Sequence, residues 1–424
     1  MYISKLIGTP LVSQTDETVG RLDDLLVRLR GSDYPLLRGL VVKVGGRQVF
    51  MPISRVQEFQ DGRITLTKVK VDLRGFEKRP GEVLLREDIL GHRLIDVEDA
   101  ELVWAWDVEL QASPGGWILK SLDTRRRPAM FLGIFRRHAA HNGKDWKAFE
   151  PLIGHSDSQR IRAPFRRVRR MKAAQIADLV EEASRDEGDE IMVALHQDPE
   201  LEADVFEELD PDVANRFFGD KVDEEVASVI EHMRSDDAAD AIAELPQERR
   251  QNILDLLSAG QRAKILNLMA FNSSSAGGIM GVDYLACSPG LTVGQALDAI
   301  RDAASLQIEV SVIFHVVAAD GLLQGVATVI DLLRADPGSA VDSIIDRDFV
   351  HVAPTADVVD IAVMMADFNL LSVPVLDDAG HILGVITVDD ILDATIPEEW
   401  RWREPVARSE RHERNAVKPT GSPD

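Results

Sequence analysis

Two copies of one short pattern carry the most specific chemistry in this chain. Gly325-Val326-Ala327-Thr328-Val329-Ile330-Asp331 and Gly384-Val385-Ile386-Thr387-Val388-Asp389-Asp390 each close an apolar strand and open a helix. A helix N-terminus offers free N–H groups to phosphate. A threonine hydroxyl there can bond phosphate or sugar oxygens, and an aspartate one turn later can accept from a ribose diol. The competing reading is that each Thr and Asp only caps its own helix. A second constellation is carboxylate alone. Asp236, Asp237 and Asp240 stand together, and Asp236 and Asp240 share a helix face at i, i+4. Close carboxylates repel, and a hard divalent cation bound by oxygens and waters cancels the repulsion. The plainer alternative is an acidic helix start favoured by the macrodipole. His138, His141 and Asp145 could be written as a metal site, but the adjacent Arg136-Arg137 and the missing fourth ligand make them surface residues. No P-loop, dinucleotide fingerprint or nucleophile elbow is present, so the chain reads as non-enzymatic.

These groups sit in a chain of 424 residues, long enough for about three domains. Hydrophobic residues at 45% and charged ones at 28% are those of a globular protein. The single cysteine, Cys287, excludes a disulfide within the chain and a CxxC zinc site, in keeping with a reducing cytoplasm. The first residues carry no signal-peptide pattern. The best apolar run, Leu306 to Leu333, is interrupted by Glu309, His315, Asp320 and Asp331, so no membrane span is expected. A net charge of −24 opposes general nucleic-acid binding and suits cations or solubility. The stretch from Lys120 to Lys172 runs the other way, with 15 basic and 4 acidic residues.

Three internal repeats organise the elements that must position the candidate residues. At an offset of 83, Leu6-Ile7-Gly8 and Val19 to Val27 are matched by Ile89-Leu90-Gly91 and Leu102 to Leu110. Short alternating apolar runs with Gly45-Gly46 between two of them predict hairpins in a small β-barrel. Residues 1–75 resemble the PRC-barrel family, and 84–119 resemble it more loosely, with Val103-Trp104 where the first half has Gly20-Arg21. The family supplies adaptor modules. Residues 120–172 read as a basic extension and linker.

From 173 to 275 apolar residues recur at helical spacing, as in Ile176, Leu179, Val180 and Ala183. Leu209, Met233 and Leu257 lie 24 apart, followed by the helix starts Asp210-Pro211, Ser235-Asp236 and Ser258. Short helices in regular succession predict a superhelical array. The third repeat has an offset of 59 and spans 276–340 and 341–398, each unit reading strand–helix–strand–turn–strand–helix. A polar tail, 399–424, follows. The fold class expected is multidomain α+β: β-barrel, helical array, tandem α/β pair.

The last two units resemble a tandem pair of CBS domains, whose signature is Gly, two apolar residues, Thr, two residues and Asp. By that resemblance Thr328, Asp331, Thr387 and Asp390 bind an adenine nucleotide such as ATP or AMP. Met233 to Asp240 with Glu244-Leu245-Pro246, and Ser275-Ala276-Gly277-Gly278-Ile279-Met280, resemble the intracellular part of MgtE-type magnesium transporters. That resemblance implies Mg2+ ions bridging acidic faces of the helical domain and the CBS pair, with Asp236, Asp237 and Asp240 as metal ligands. It also implies a homodimer through the CBS helices and, since no bundle of membrane helices follows the second unit, action on a partner such as a membrane transporter. Two rival expectations stand beside the sensor: an interaction scaffold without ligand switching, and an RNA-associated adaptor working through the basic 125–170 stretch.

Overall fold

The computed structural model describes residues 1–29, 34–60, 62–67, 74–79, 81–124, 143–151, 167–302 and 310–397. The chain divides into two compact units, Met1–Phe218 and Gly219–Asp424.

The first unit opens with strands β1 (Pro10–Val12), β2 (Thr18–Arg28), β3 (Leu36–Val44), β4 (Arg47–Pro52), β5 (Val56–Gln60), β6 (Arg63–Leu66) and β7 (Glu82–Leu84). A second set follows: β8 (Arg93–Asp96), β9 (Glu101–Trp104), β10 (Asp107–Ser113), β11 (Gly116–Asp123), β12 (Lys144–Asp145) and β13 (Phe149–Pro151). Among the described residues a ten-stranded sheet follows the path β10-β11-β3-β2-β1-β6-β5 without closing end to end, with β12 on β11, β4 on β3 and β7 on β2 beside it; β8, β9 and β13 form a smaller sheet, and the fold is a half-barrel. Both sheets share one core, from Ile3 and Leu25 to Trp146 and Phe149. The Gly45-Gly46 hairpin forms as expected, both glycines having positive φ, as the tight turn between Val44 and Arg47 requires. Residues 144–151 fall in the stretch expected to be extension and linker, yet Trp146, Ala148 and Phe149 are buried in the barrel core. Lys144 anchors them by binding Asp96 (2.6 Å) and Asp99 (2.8 Å).

The 83-residue repeat holds down to single hydrogen bonds. Gly8 N–H donates to Leu22 O (2.8 Å) and Leu22 N–H to Thr9 O (2.9 Å); Gly91 donates to Ala105 O (2.8 Å) and Ala105 to His92 O (3.0 Å). The halves also exchange caps. Asp24 accepts from Arg86 N–H (2.8 Å) and Glu87 N–H (3.0 Å) in the second half, while Asp107 accepts from Ser4 N–H (3.1 Å) in the first. Burial pushes the Asp24 carboxyl up to about 6. The symmetry fails at one place, for a steric reason. A Cβ on Gly20 would meet the Lys43 carbonyl at 2.6 Å, so only glycine lets β2 run unbroken along β3. Val103 stands at the matching position, and there β9 parts from β10 and pairs with β8 alone.

Helices α1 (Ala173–Glu182), α2 (Arg185–Leu195) and α3 (Pro199–Glu208) complete the first unit, and α4 (Pro211–Asp220) crosses the division. Phe206 stacks on Phe218 with centroids 4.5 Å apart. Arg93 on β8 binds Glu187 on α2 (3.1 Å). Burial alone would raise Glu187; the hydrogen bonds from Arg93 and Ser184 outweigh it and hold the carboxyl at about 2.

The second unit continues with α5 (Asp223–Ile230), α6 (Ser235–Glu244), α7 (Gln247–Leu256) and α8 (Ala259–Leu268). Each helix packs on the next but one, α5 on α7 and α6 on α8, which is the stacking a superhelical array requires. Met233 and Leu257, two of the residues spaced by 24, are buried at the corners between helices. The short α9 (Ala276–Ile279) leads to β14 (Ala286–Cys287), α10 (Val293–Asp302), β15 (Ile313–Val317), β16 (Leu323–Thr328) and α11 (Val329–Arg334). The second CBS unit comprises α12 (Val358–Phe368), β17 (Ser372–Leu376), β18 (Ile382–Thr387) and α13 (Val388–Thr395). The two units meet at their hairpin tips, Leu323 N–H to Gly380 O and Ile382 N–H to Gly321 O, both 3.1 Å. These bonds map onto each other at the offset of 59, so the pair has pseudo-two-fold symmetry. Among the described residues no helix is long and apolar enough to cross a membrane.

Candidate functional site

Thr328 and Thr387 are the N-caps of α11 and α13, and each signature closes a capping box. Asp331 accepts from Thr328 N–H (3.2 Å) and Oγ1 (2.5 Å). Asp390 accepts from Thr387 N–H (2.7 Å) and Oγ1 (2.8 Å). The capping role is therefore real in both copies, and a nucleotide would have to bond the same atoms.

The copies differ in what surrounds them. Asp331 is exposed. The Asp390 side chain is 8% exposed, and its second oxygen faces Arg234 at 3.5 Å, an ion pair rather than a tight hydrogen bond. Arg234 precedes α6 and also holds Asp237 (2.6 Å). Asp236, buried on the first turn of α6, adds its negative charge to the surroundings of Asp390. Burial, then repulsion from Asp236, push the Asp390 carboxyl up to about 6 against the opposing pull of Arg234 and the Thr387 bonds. Asp240, one turn on, is also raised to about 6, by desolvation and by its neighbours Asp236 and Glu244, although its residue surface is open. A second link lies alongside: Lys264 on α8 binds Asp283 (2.7 Å), and Ser235 Oγ lies 3.4 Å from the same carboxylate.

Of the three aspartates picked out in the sequence, Asp236 adds its charge to the surroundings of Asp240, whereas Asp237 pairs with Arg234. Among the described residues no three Asp, Glu, His or Cys side chains converge closely enough to hold a metal by themselves. An ion here would be held by one or two carboxylates and its own waters, the usual habit of Mg2+. Sequence reasoning missed Asp390 as the facing group, because its partners lie some 150 residues away. It could have marked Asp390 only by the charge of Asp389-Asp390.

It also missed the task of the signature glycines. Gly281 N–H donates to Val385 O and Val385 N–H to Gly281 O, both 2.9 Å. Val326 and Asp346 exchange the same two bonds in the first unit, at 2.9 and 2.7 Å. A Cβ on Gly384 would lie 2.6 Å from Gly281 O, and one on Gly325 2.7 Å from Asp346 O. Each signature glycine thus lets a lead-in segment cross its strand. The Ser275–Met280 motif, expected to mark entry into the first CBS unit, in fact docks on the second: Ala276 and Gly277 donate to Ala356 O (2.9 Å) and Pro354 O (2.8 Å).

A family model described as the MgtE intracellular N domain matches residues 171–274, a CBS-domain model matches 341–396, and a PRC-barrel model matches 1–73. The magnesium transporter MgtE of Thermus thermophilus is 36% identical over 161 residues, covering 37% of this chain and 36% of that protein. That of Enterococcus faecalis is 29% identical over 133 residues, 31% of this chain and 29% of the relative. The chain thus spans about a third of the length of these curated relatives. The crystal structure of the cytosolic domain of the Mg2+ channel MgtE in complex with ATP matches with a TM-score of 0.50 at 28% identity, over 53% of this chain and 91% of that one. The soluble part of a magnesium transporter matches at 0.51 and 23%, over 54% and 89%, which supports the fold alone.

Proposed function

We propose that this chain is a non-catalytic, cytoplasmic regulatory protein in which Mg2+ sits between Asp236, with Asp240, on α6 and Asp390 on the second CBS unit. The observation that carries the reading is the burial of Asp236 and of the Asp390 carboxylate, with the negative charge of Asp236 helping to push Asp390 up to about 6. A divalent ion favours the docked arrangement because it binds that state better than the separated one. The relative crystallised with ATP supports an adenine nucleotide at the CBS pair, held through Thr387 and Asp390 and, in the first unit, Thr328 and Asp331. The output is a change in what the chain offers a protein partner, for which a membrane transporter is the natural class.

The test is limited proteolysis of the full chain. Millimolar Mg2+ is expected to protect the α5–α9 segment against cleavage, and Na+ at matched ionic strength is not. Asp236→Asn with Asp390→Asn should be protected in chelator and lose the Mg2+ response. Equal cleavage in chelator and Mg2+ would leave the interaction scaffold. Calorimetric titration with ATP, repeated on Thr387→Val, examines the nucleotide arm: no heat in the wild type removes it. The basic 125–170 stretch, on which the RNA-adaptor reading rests, lies largely outside the described residues, as do His138 and His141.

We infer further that two copies pair through the CBS helices. Val359, Val363, Phe368 and Leu371 are all more than half exposed, and Leu333 on α11 is 63% exposed. An apolar stripe of this kind is what an interface core needs. Light scattering is expected to give a dimer, and Val363→Glu a monomer with unchanged helicity. A monomeric wild type would refute the pairing.

A further inference from the structure

The docking face already contains a fixed cation of its own. We propose that Arg234 is an internal counter-ion that holds the start of α6 against the second CBS unit, so that docking keeps a metal-independent component. The inference rests on the reading that docking is the event a cation controls.

Arg234 stands just ahead of α6 and reaches both sides of the contact: Asp237 on its own helix at 2.6 Å and Asp390 on α13 at 3.5 Å. The Arg234 side chain is 31% exposed, so it is partly desolvated and its charge is screened less than that of a surface lysine. It cannot be neutralised by deprotonation. Asp237 and Asp390 both pair with Arg234, and the charge of Asp236 also acts on Asp390. Asp237 orients Arg234 through this pair. The planar fork of the guanidinium, with its five donors, lets one side chain serve both carboxylates. Lys264 with Asp283 lies on the same contact but is more open, at 40% and 52% exposed, and contributes less.

The experiment is hydrogen–deuterium exchange of the full chain, read at α6 and α13, in chelator and across a Mg2+ titration. Wild type in chelator is expected to keep measurable protection in both helices. Arg234→Gln should lose it, and should need about ten-fold more Mg2+ to reach half protection. Arg234→Lys, which keeps the charge without the fork, should fall between the two; it also serves if the glutamine variant fails to fold. Equal protection of Arg234→Gln and wild type in chelator would overturn the proposal. So would a lower Mg2+ midpoint in the variant, because Arg234 would then be competing with the ion for Asp390. A wild type indifferent to Mg2+ would defeat the sensor reading, and the chelator comparison alone would then decide the role of Arg234.

Discussion

An alanine at Gly384 is expected to cost the CBS pair about 3 kcal/mol, although it adds one methyl group and touches no ligand-binding atom. The added Cβ would sit 2.6 Å from Gly281 O and 2.9 Å from Met280 Cγ. The oxygen is the difficulty. A side-chain tip can swing aside, but Gly281 O is held by Val385 N–H, so relief means breaking the two reciprocal bonds by which the lead-in crosses β18. Gly325→Ala should behave alike through Asp346 O, since the two units are related by the same symmetry. Gly260, a helical residue of α8 with nothing within 4 Å of its would-be Cβ, is the control; alanine there should stabilise by up to about 1 kcal/mol. Urea unfolding followed by a probe in the CBS pair measures all three. A loss below about 1 kcal/mol at both signature glycines would show that the lead-ins move freely and the close crossing is not a constraint.

The second large effect concerns His315, the central residue of β15. It is fully buried; its Nδ1 lies 3.0 Å from Leu285 O, and among the described residues its Nε2 has no hydrogen-bond partner. Burial lowers its pKa to about 4, against which the bond to Leu285 O works only weakly. The sign follows from that direction. The unfolded chain takes up a proton near pH 6.5 and the folded one only near 4, so stability is complete above 6.5 and lost as pH falls through that window. The loss reaches about 3 kcal/mol by pH 4. His315→Leu should abolish it. At neutral pH the variant should lie within about 1 kcal/mol of wild type, because Leu285 O keeps its bond from His315 N–H (2.9 Å) and the orphan nitrogen is gone. Asp24, Asp240 and Asp390, all raised to about 6, favour acid in both proteins and cancel in the difference. Denaturation at pH 7 and pH 4.5 is the measurement. A gap between variant and wild type that does not widen on acidification would mean that His315 is protonated in the fold at little cost.

Much of the architecture was readable because its causes are local. Glycine pairs with positive φ, proline at a first helical turn and threonine with aspartate three residues on each set a boundary from within a few residues. The repeats at 83 and 59 were plain for the same reason, since copies keep local patterns, and matched hydrogen bonds recur in both. Other features had no local cause. The ring of Trp146 is polar-flanked in sequence, yet it completes a core whose other members reach back as far as Ile3. Asp390 reads as a helix cap from its own neighbourhood, and it is one.

By itself, then, the sequence determined the helical run and the strand–helix order of the CBS pair, that the N-terminal β domain and the CBS pair are each built on a repeat, and that carboxylates would crowd the start of α6. Only the tertiary structure decided that Asp390 meets Arg234, that the signature glycines serve crossing backbones, and that each lead-in segment pairs with the other unit. The physical reason is range. Caps, turns and periodicity act over one or two turns of chain, whereas burial and Coulomb repulsion act over ångströms of space and are blind to how many residues separate the partners.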